Sequence, residues 1–293
     1  MCLLSIYFCD NPGEDEYQVI IASNRDEHLR RATAAAGFWG ANGDCLGGLD
    51  TSVAGGGTWL GMNKKTGRIG GLTNIAQQGR DMEKKSRGSL VTDYIDSDVA
   101  TTKYLSTVDD EKKAYNNFHL ILMERMEEKY KVHLLSSKME DSIHEINPGV
   151  FVLGNSNYLK PWKKIGYAEN KFTQLVAEHN SLSKKDALID ELYGYLGDKT
   201  PCYPDDALHS QLGMNPGTIY KPDGTKVGQF VKPEWLSAIC VNNELGYGTR
   251  SHTLILIDKH GNCDFREKTL DVKFPKPSND WISSAWSFKI GDC

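Results

Sequence analysis

A layered α+β fold is what this sequence predicts. Three observations predict it: β-rich runs bounded by turn residues toward both ends of the chain, stretches with helical apolar spacing between them, and an order of strands, helices, strands, helices and strands with no internal repeat. Two antiparallel sheets between helical layers is one arrangement that satisfies this order. With 39% hydrophobic, 10% aromatic and 25% charged residues in 293, the chain carries a sizeable core. No linker-like segment divides it, so residues 1–293 are expected to form one domain.

Residues 3–9 and 17–23 are β-rich and flank an acidic Asn-Pro-Gly-Glu-Asp-Glu turn, which gives an opening hairpin. In the glycine-rich zone 37–71, strands are predicted over 58–63 and 68–74, joined at Lys64-Lys65-Thr66-Gly67. Leu90, Val91, Tyr94 and Ile95, followed by Val99 and Leu105, have helical spacing, so one or two helices belong to 87–104. Residues 118–123 and 130–135 form a third hairpin across a charged turn, and 150–154 is a short strand after Asn147-Pro148-Gly149. Trp162, Ile165, Phe172, Leu175 and Val176 place a helix over 160–179, with another over 184–195. A long excursion rich in Pro, Gly and Asp, 200–232, precedes a meander of strands at 236–241, 249–257 and 263–268.

Lysine and arginine number 34 against 39 acidic residues, a net charge of −5, so nucleic acid is excluded as a partner unless a local patch opposes the overall field. The longest apolar runs, such as 118–123 and 253–257, fall far below the ~18 residues of a membrane span. No basic region precedes the apolar start, and Asp10, Glu14, Asp15 and Glu16 follow it, which argues against a leader peptide. Seven cysteines without paired spacing, and no Asn-x-Ser/Thr acceptor, favour a reducing, cytosolic setting.

Cys2 is the most informative residue. Initiator methionine is commonly removed before a small residue, and removal of Met1 would leave a thiol and an α-amino group on one residue. Their ordinary pKa values, ~8.5 and ~8, make proton transfer between them nearly thermoneutral, so Cys2 can supply both nucleophile and base. Viewed alone, a cysteine opening a strand is a small buried hydrophobe. The hairpin returns Asn24-Arg25-Asp26-Glu27 toward the chain start. There a guanidinium would lower a thiol's pKa and a carboxylate would hold an ammonium. Asn74 ends one strand, Asn157 follows another and Arg250 opens a third, all suited to an oxyanion or acyl group, although asparagine after a strand is ordinarily a turn residue. Gly55-Gly56-Gly57 matches neither dinucleotide nor phosphate-loop spacing. His260-x-x-Cys263 lacks a partner pair for zinc, and no Gly-x-Ser-x-Gly elbow occurs. No metal is expected.

One set of motifs runs in order from residue 1 to about 257: Met1-Cys2, Ser23-Asn24-Arg25-Asp26-Glu27, Phe38-Trp39-Gly40, Gly57-Thr58-Trp59-Leu60-Gly61, Leu72-Thr73-Asn74, Arg87-Gly88, Ser156-Asn157 with Pro161-Trp162, and Tyr247-Gly248-Thr249-Arg250-Ser251. This set resembles the NRDE family, the family of transport and Golgi organisation 2 proteins. That family is in turn similar to N-terminal-nucleophile cysteine hydrolases, which implies a four-layer αββα sandwich with Cys2 at its centre. Carried over residue by residue, the resemblance implies Cys2 as nucleophile and Arg25, Asp26, Asn74, Asn157 and Arg250 around it. The acylases place their acidic partner three residues past the arginine, where this chain has His28. The resemblance further implies intracellular haem trafficking, with roles in acyl-coenzyme A and lipid handling. A concave site for haem or an acyl group would draw on Arg25, His28, Trp39 and Trp59, although such aromatics are commonly core. The function expected is a haem-handling or haem-transfer protein requiring no cofactor, with haem as a bound ligand. The runner-up is a Cys2-dependent amidase or thioesterase, and a third reading is a non-catalytic Golgi or secretory adaptor. The expected location is cytoplasmic, with peripheral contact at mitochondrial or Golgi membranes.

Overall fold

Strands that bury both faces organise the chain. Along the first strands, alternate residues go to opposite sides: Leu4, Ile6, Phe8, Val19 and Ile21 join one apolar cluster, while Leu3, Ile20 and Ala22 join another. Double burial makes such strands read as continuous apolar runs. The computed structural model describes residues 2–53, 55–79, 81–213, 232–242, 246–272 and 280–292.

In chain order the elements are β1 (Leu3–Phe8), β2 (Tyr17–His28), β3 (Thr33–Trp39), β4 (Cys45–Asp50), β5 (Leu60–Asn63), β6 (Ile69–Asn74), α1 (Ser89–Ile95), α2 (Thr101–Glu111), β7 (Phe118–Met126), β8 (Lys129–Ser136), β9 (Ile143–Ile146) and β10 (Gly149–Leu153). They continue as α3 (Lys163–His179), α4 (Lys185–Leu196), α5 (Asp206–Leu212), α6 (Pro233–Leu236), β11 (Tyr247–Asp258), β12 (Asn262–Leu270) and β13 (Trp281–Lys289). One sheet has the order β10-β1-β2-β11-β12-β13 and the other β3-β4-β5-β6-β7-β8-β9, with every pairing antiparallel.

Three clusters build the layers. Between the sheets, Ile6, Val19, Ile21, Ile255 and Phe265 of the first face Leu60, Ile69, Ile121, Met123 and Leu134 of the second. Outside the first sheet, Leu254 and Leu256 pack on Phe172 and Val176 of α3 and on Leu188 and Leu192 of α4. Outside the second, Leu120 and Leu122 pack on Val91 and Ile95 of α1 and on Leu105 of α2. The result is the expected α+β architecture, a four-layer αββα sandwich. A buried carboxylate ties its sheets together. Glu267 on β12, pushed up by burial, accepts from the Ala36 amide at 2.7 Å, where an irregularity in β3 frees that amide.

Several elements differ from the sequence expectations. Residues 236–241, expected as a strand, leave α6 and run as turns that close a corner cluster with Trp162, Leu208 and Tyr247. Strands β3, β4, β9 and β13 were not anticipated, being short, at sheet edges, or rich in Gly, Ala and Ser. In the excursion 200–232, α5 is capped by the Asp205 carboxylate, which accepts from the Ala207 and Leu208 amides, while residues 214–231 lie outside the described residues. No helix among the described residues is long and apolar enough to cross a membrane, and the six described cysteines are free thiols.

Two backbones meet side by side at Gly57 and Gly88: a Cβ on Gly88 would lie 2.9 Å from the Gly57 Cα. The Thr58 amide donates across this contact to the Gly88 carbonyl at 3.2 Å. Gly88→Ala is therefore expected to cost ~1–3 kcal/mol by overpacking, read as a lowered unfolding midpoint. An unchanged midpoint would show that the loop yields. A second prediction concerns His119, which is fully buried with Nε2 against the Ser156 carbonyl at 2.9 Å. Burial pushes this imidazole down from 6.5 to about 4. Below pH 6.5 the unfolded chain takes up a proton that the folded one refuses, so stability is complete above that value and declines as the pH falls toward about 4. His119→Gln should remove up to about 3 kcal/mol of that decline, measured as the difference between urea midpoints at neutral and acidic pH.

Candidate functional site

The register of β1 on β2 pairs Leu3 with Asn24, so Cys2, one residue earlier, reaches the part of β2 that carries Arg25 and Asp26. Its thiol points at the Asp26 carbonyl, 3.8 Å away. Alternation along β2 then separates the polar residues. Asn24 and Asp26 share the helix-side face with Ile20 and Ala22, whereas Arg25 shares the face of Val19 and Ile21 and enters the space between the sheets.

Each polar side chain is held in place. The Asn24 amide donates to the Leu196 and Ile239 carbonyls, both at 2.9 Å, and its oxygen meets His252 Nδ1 at 2.6 Å. The Arg25 guanidinium stacks on Trp59, 4.2 Å from the ring centroid, donates to Thr33 Oγ1 at 3.0 Å and lies 3.7 Å from Asp50. Asp26 accepts from Thr249 Oγ1 at 2.6 Å. Burial raises the Asp50 carboxyl, but hydrogen bonds from Ser52 and Arg31 outweigh it and hold the group below its ordinary range.

These residues line a cleft of about 90 Å³ with Cys2, Arg25, Asp26, Glu27, Arg31, Asp50, Val53, Gly57, Thr58, Trp59, Leu72, Asn74, Ser86, Arg87 and Gly88 on its walls. Three guanidinium groups face three carboxylates, and apolar side chains are few. At ~10–15 Å³ per water, this space holds a small polar group rather than the ~300–1,000 Å³ of a larger ligand. Burial pushes the Cys2 thiol above its ordinary value of 9.0 and the Asp26 carboxylate adds to this; the Asp26 backbone contact and the Arg25 charge oppose it. At neutral pH the thiol is therefore protonated until a base takes its proton. The Asn74 side-chain amide has no hydrogen-bond partner among the described residues and borders the same space as the sulfur.

Of the residues singled out from the sequence, Cys2, Arg25, Asp26, Asn74 and Trp59 come together here, and four do not. Arg250 is the extra residue of a β-bulge in β11, between Thr249, opposite Asp26, and Ser251, opposite Arg25. Its Nη1 donates to the His28 and Arg31 carbonyls at 2.9 and 2.7 Å, bracing the loop beyond β2, and burial with the Arg25 charge pushes it down to about 10. Asn157 lines a separate cavity with Gln211. His28 is exposed at the end of β2, its ring edge-on to Tyr247. Trp39 donates to the Gly47 carbonyl at 3.2 Å and packs toward the α1 layer.

Sequence reasoning assigned no site role to Asp50, Arg31, Arg87 and Lys164, although Arg87 stands in the motif set. Lys164 is fully buried at the start of α3 with Nζ 3.2 Å from the Ala238 carbonyl; burial pushes it down while Asp26 and Cys2 pull it up. Its place on the apolar face of α3, one residue before Ile165, was the available signal. Among the described residues no group of three or more His, Cys, Asp and Glu could hold a metal ion.

A solved structure of the Caenorhabditis elegans ortholog of N-acylethanolamine-hydrolyzing acid amidase aligns with a TM-score of 0.42 at 13% identity, covering 66% of this chain and 85% of that one. The human transport and Golgi organization protein 2 homolog is 32% identical over 295 residues and the mouse homolog 30% over 293, each match covering 99% of both chains. Drosophila melanogaster transport and Golgi organization protein 2 is 28% identical, covering 92% of both. The family model described as Transport and Golgi organisation 2 matches residues 1–272, and the chain belongs to that family.

Proposed function

We propose that this chain is an N-terminal-cysteine acyl hydrolase acting on a small acyl amide or thioester, and that Met1 is removed to arm it. The observation that carries the reading is the Cys2 sulfur on one wall of a narrow polar cleft whose other walls present the Asn74 amide, unpartnered among the described residues, and the Arg25 guanidinium. With residue 2 at the chain start, its α-amine takes the thiol proton. The sulfur attacks the acyl carbonyl carbon and forms an S–C bond, and Asn74 donates to the oxyanion. Collapse breaks the bond to the leaving nitrogen or sulfur, which takes the proton back from the ammonium. Water, deprotonated by the amine, then cleaves the acyl–sulfur bond and releases the acid. Asp26 holds the ammonium beside the thiol, and Arg25 favours the thiolate.

Haem transfer is the second reading, favoured by the Arg25 guanidinium stacked on Trp59, a pairing suited to a propionate beside a flat ring. The cleft's 90 Å³ and its matched charges weigh toward the acyl reading. Both readings place the chain in the cytoplasm, with peripheral contact at mitochondrial or Golgi membranes, and neither calls for a cofactor.

Intact mass after exposure to acyl thioesters should show one acyl group on wild type and none on Cys2→Ala, with acylation slowed ~10²-fold or more in Asn74→Ala. Saturable haem binding by Soret absorbance, with no Cys2-dependent adduct, would overturn the acyl reading in favour of the second. The pH dependence gives a further check. The thiol is raised above 9.0, so alkylation of Met1-retaining protein should have its midpoint above that pH, and removal of Met1 should move it down. An unmoved midpoint removes the amine from the mechanism.

A further inference from the structure

The cavity that holds Asn157 is larger than the Cys2 cleft, about 480 Å³, and its chemistry is different. Ile75, Gln78, Asn117, Lys138, Asn157 and Gln211 are among its lining residues, and no carboxylate lines it among the described residues. Gln211 makes a fixed wall. Its oxygen accepts from the Asn157 amide at 3.1 Å and from Trp162 Nε1 at 3.0 Å, and its nitrogen donates to the Ala76 and Asn155 carbonyls at 2.7 and 3.0 Å. Lys138 is exposed, and its ammonium has no ion-pair partner among the described residues. The Asn157 oxygen is occupied by the Leu159 amide at 3.0 Å, which leaves its NH2 group as a donor.

The two spaces adjoin along the chain. Asn74 lines the cleft and Ile75 the cavity, and Asn155 pins the junction by donating to the Asn74 carbonyl at 2.5 Å and accepting from the Ala76 amide at 2.8 Å. We propose that this cavity is the anion subsite of the substrate acylating Cys2, with Lys138 and Asn157 binding a carboxylate or phosphate on the substrate's far end. A cation with a preset amide donor, opposed by no carboxylate among the described residues, selects an oxyanion. The link to Cys2 rests on the acyl-hydrolase reading; the anion site itself does not.

Cys2→Ala protein titrated with succinate, inorganic phosphate and neutral succinamide, followed by tryptophan fluorescence, tests the site without chemistry. One anion should saturate and succinamide should not, with affinity falling about tenfold in Lys138→Ala and kept in Lys138→Arg. Succinate saturation identifies a carboxylate end, phosphate saturation a phosphate end. Absence of saturation, or saturation indifferent to Lys138→Ala, overturns the proposal. In Cys2-containing protein, a thioester bearing the preferred anion should acylate about tenfold faster than its neutral counterpart, and Asn157→Ala or Lys138→Ala should erase only that preference. Equal rates overturn the shared-substrate link. Anion binding without any acylation would leave the subsite standing and sink the hydrolase reading.

Discussion

Everything at the site depends on β2 being paired on both sides, with β1 at one edge and β11 at the other. A strand buried on both faces cannot slip by one residue without sending Asn24 and Asp26 into the space between the sheets and Arg25 toward α3 and α4. Leu3 opposite Asn24 sets where Cys2 falls, and Asp26 opposite Thr249 sets where the carboxylate is tethered. The apolar residues of β2 thus determine the placement of the polar ones that follow. Burying Val19 to Ala22 fixes the positions at which Arg25 and Asp26 emerge.

The same burial has an electrostatic cost that the structure meets locally. Arg25, Asp26, Lys164 and Glu267 are each at most 5% exposed. A charge in such surroundings persists only with partners that replace water. Arg25 has a ring, a hydroxyl and a carboxylate, Asp26 has Thr249, and Glu267 has two hydroxyls and an amide. The central thiol lacks comparable support: its hydrogen bond among the described residues is a long one to a carbonyl, so burial prevails and keeps it protonated.

Much of this was legible in the sequence because burial on both faces leaves continuous apolar, β-rich runs in residues 3–8, 17–23, 118–123 and 253–257, and helical spacing marks α3 and α4. The motif order singled out Cys2, Arg25, Asp26, Asn74 and Trp59, which line one cleft. Edge strands such as β3 and β13 left no trace, since one side of an edge strand faces solvent and its composition is unconstrained. Apolar residues 236–241 imitated a strand, but they are buried by packing at a corner around Trp162. Arg250 and Asn157 escaped because linear position does not encode a bulge or the two-residue difference between Asn155, which touches Asn74, and Asn157, which lines the neighbouring cavity.

The bulge at Arg250 has a meaning beyond the brace it makes. From Ser251 onward, odd-numbered residues of β11 such as Ile255 and Ile257 face between the sheets, yet Thr249, also odd, bonds to Asp26 on the helix side. The strand changes parity at this one residue. Uninterrupted alternation without residue 250 would carry Thr249 directly to its place opposite Asp26, so the pairing lattice has no need of the extra position. Residue 250 is an insertion relative to the ideal sheet, a mounting point outside the lattice on which the chain carries a cation. The loop from His28 to Arg31, with the Arg31 that faces Asp50, is therefore held twice: at its start by the pairing of His28 with Tyr247, and beyond it by an appendage to the sheet.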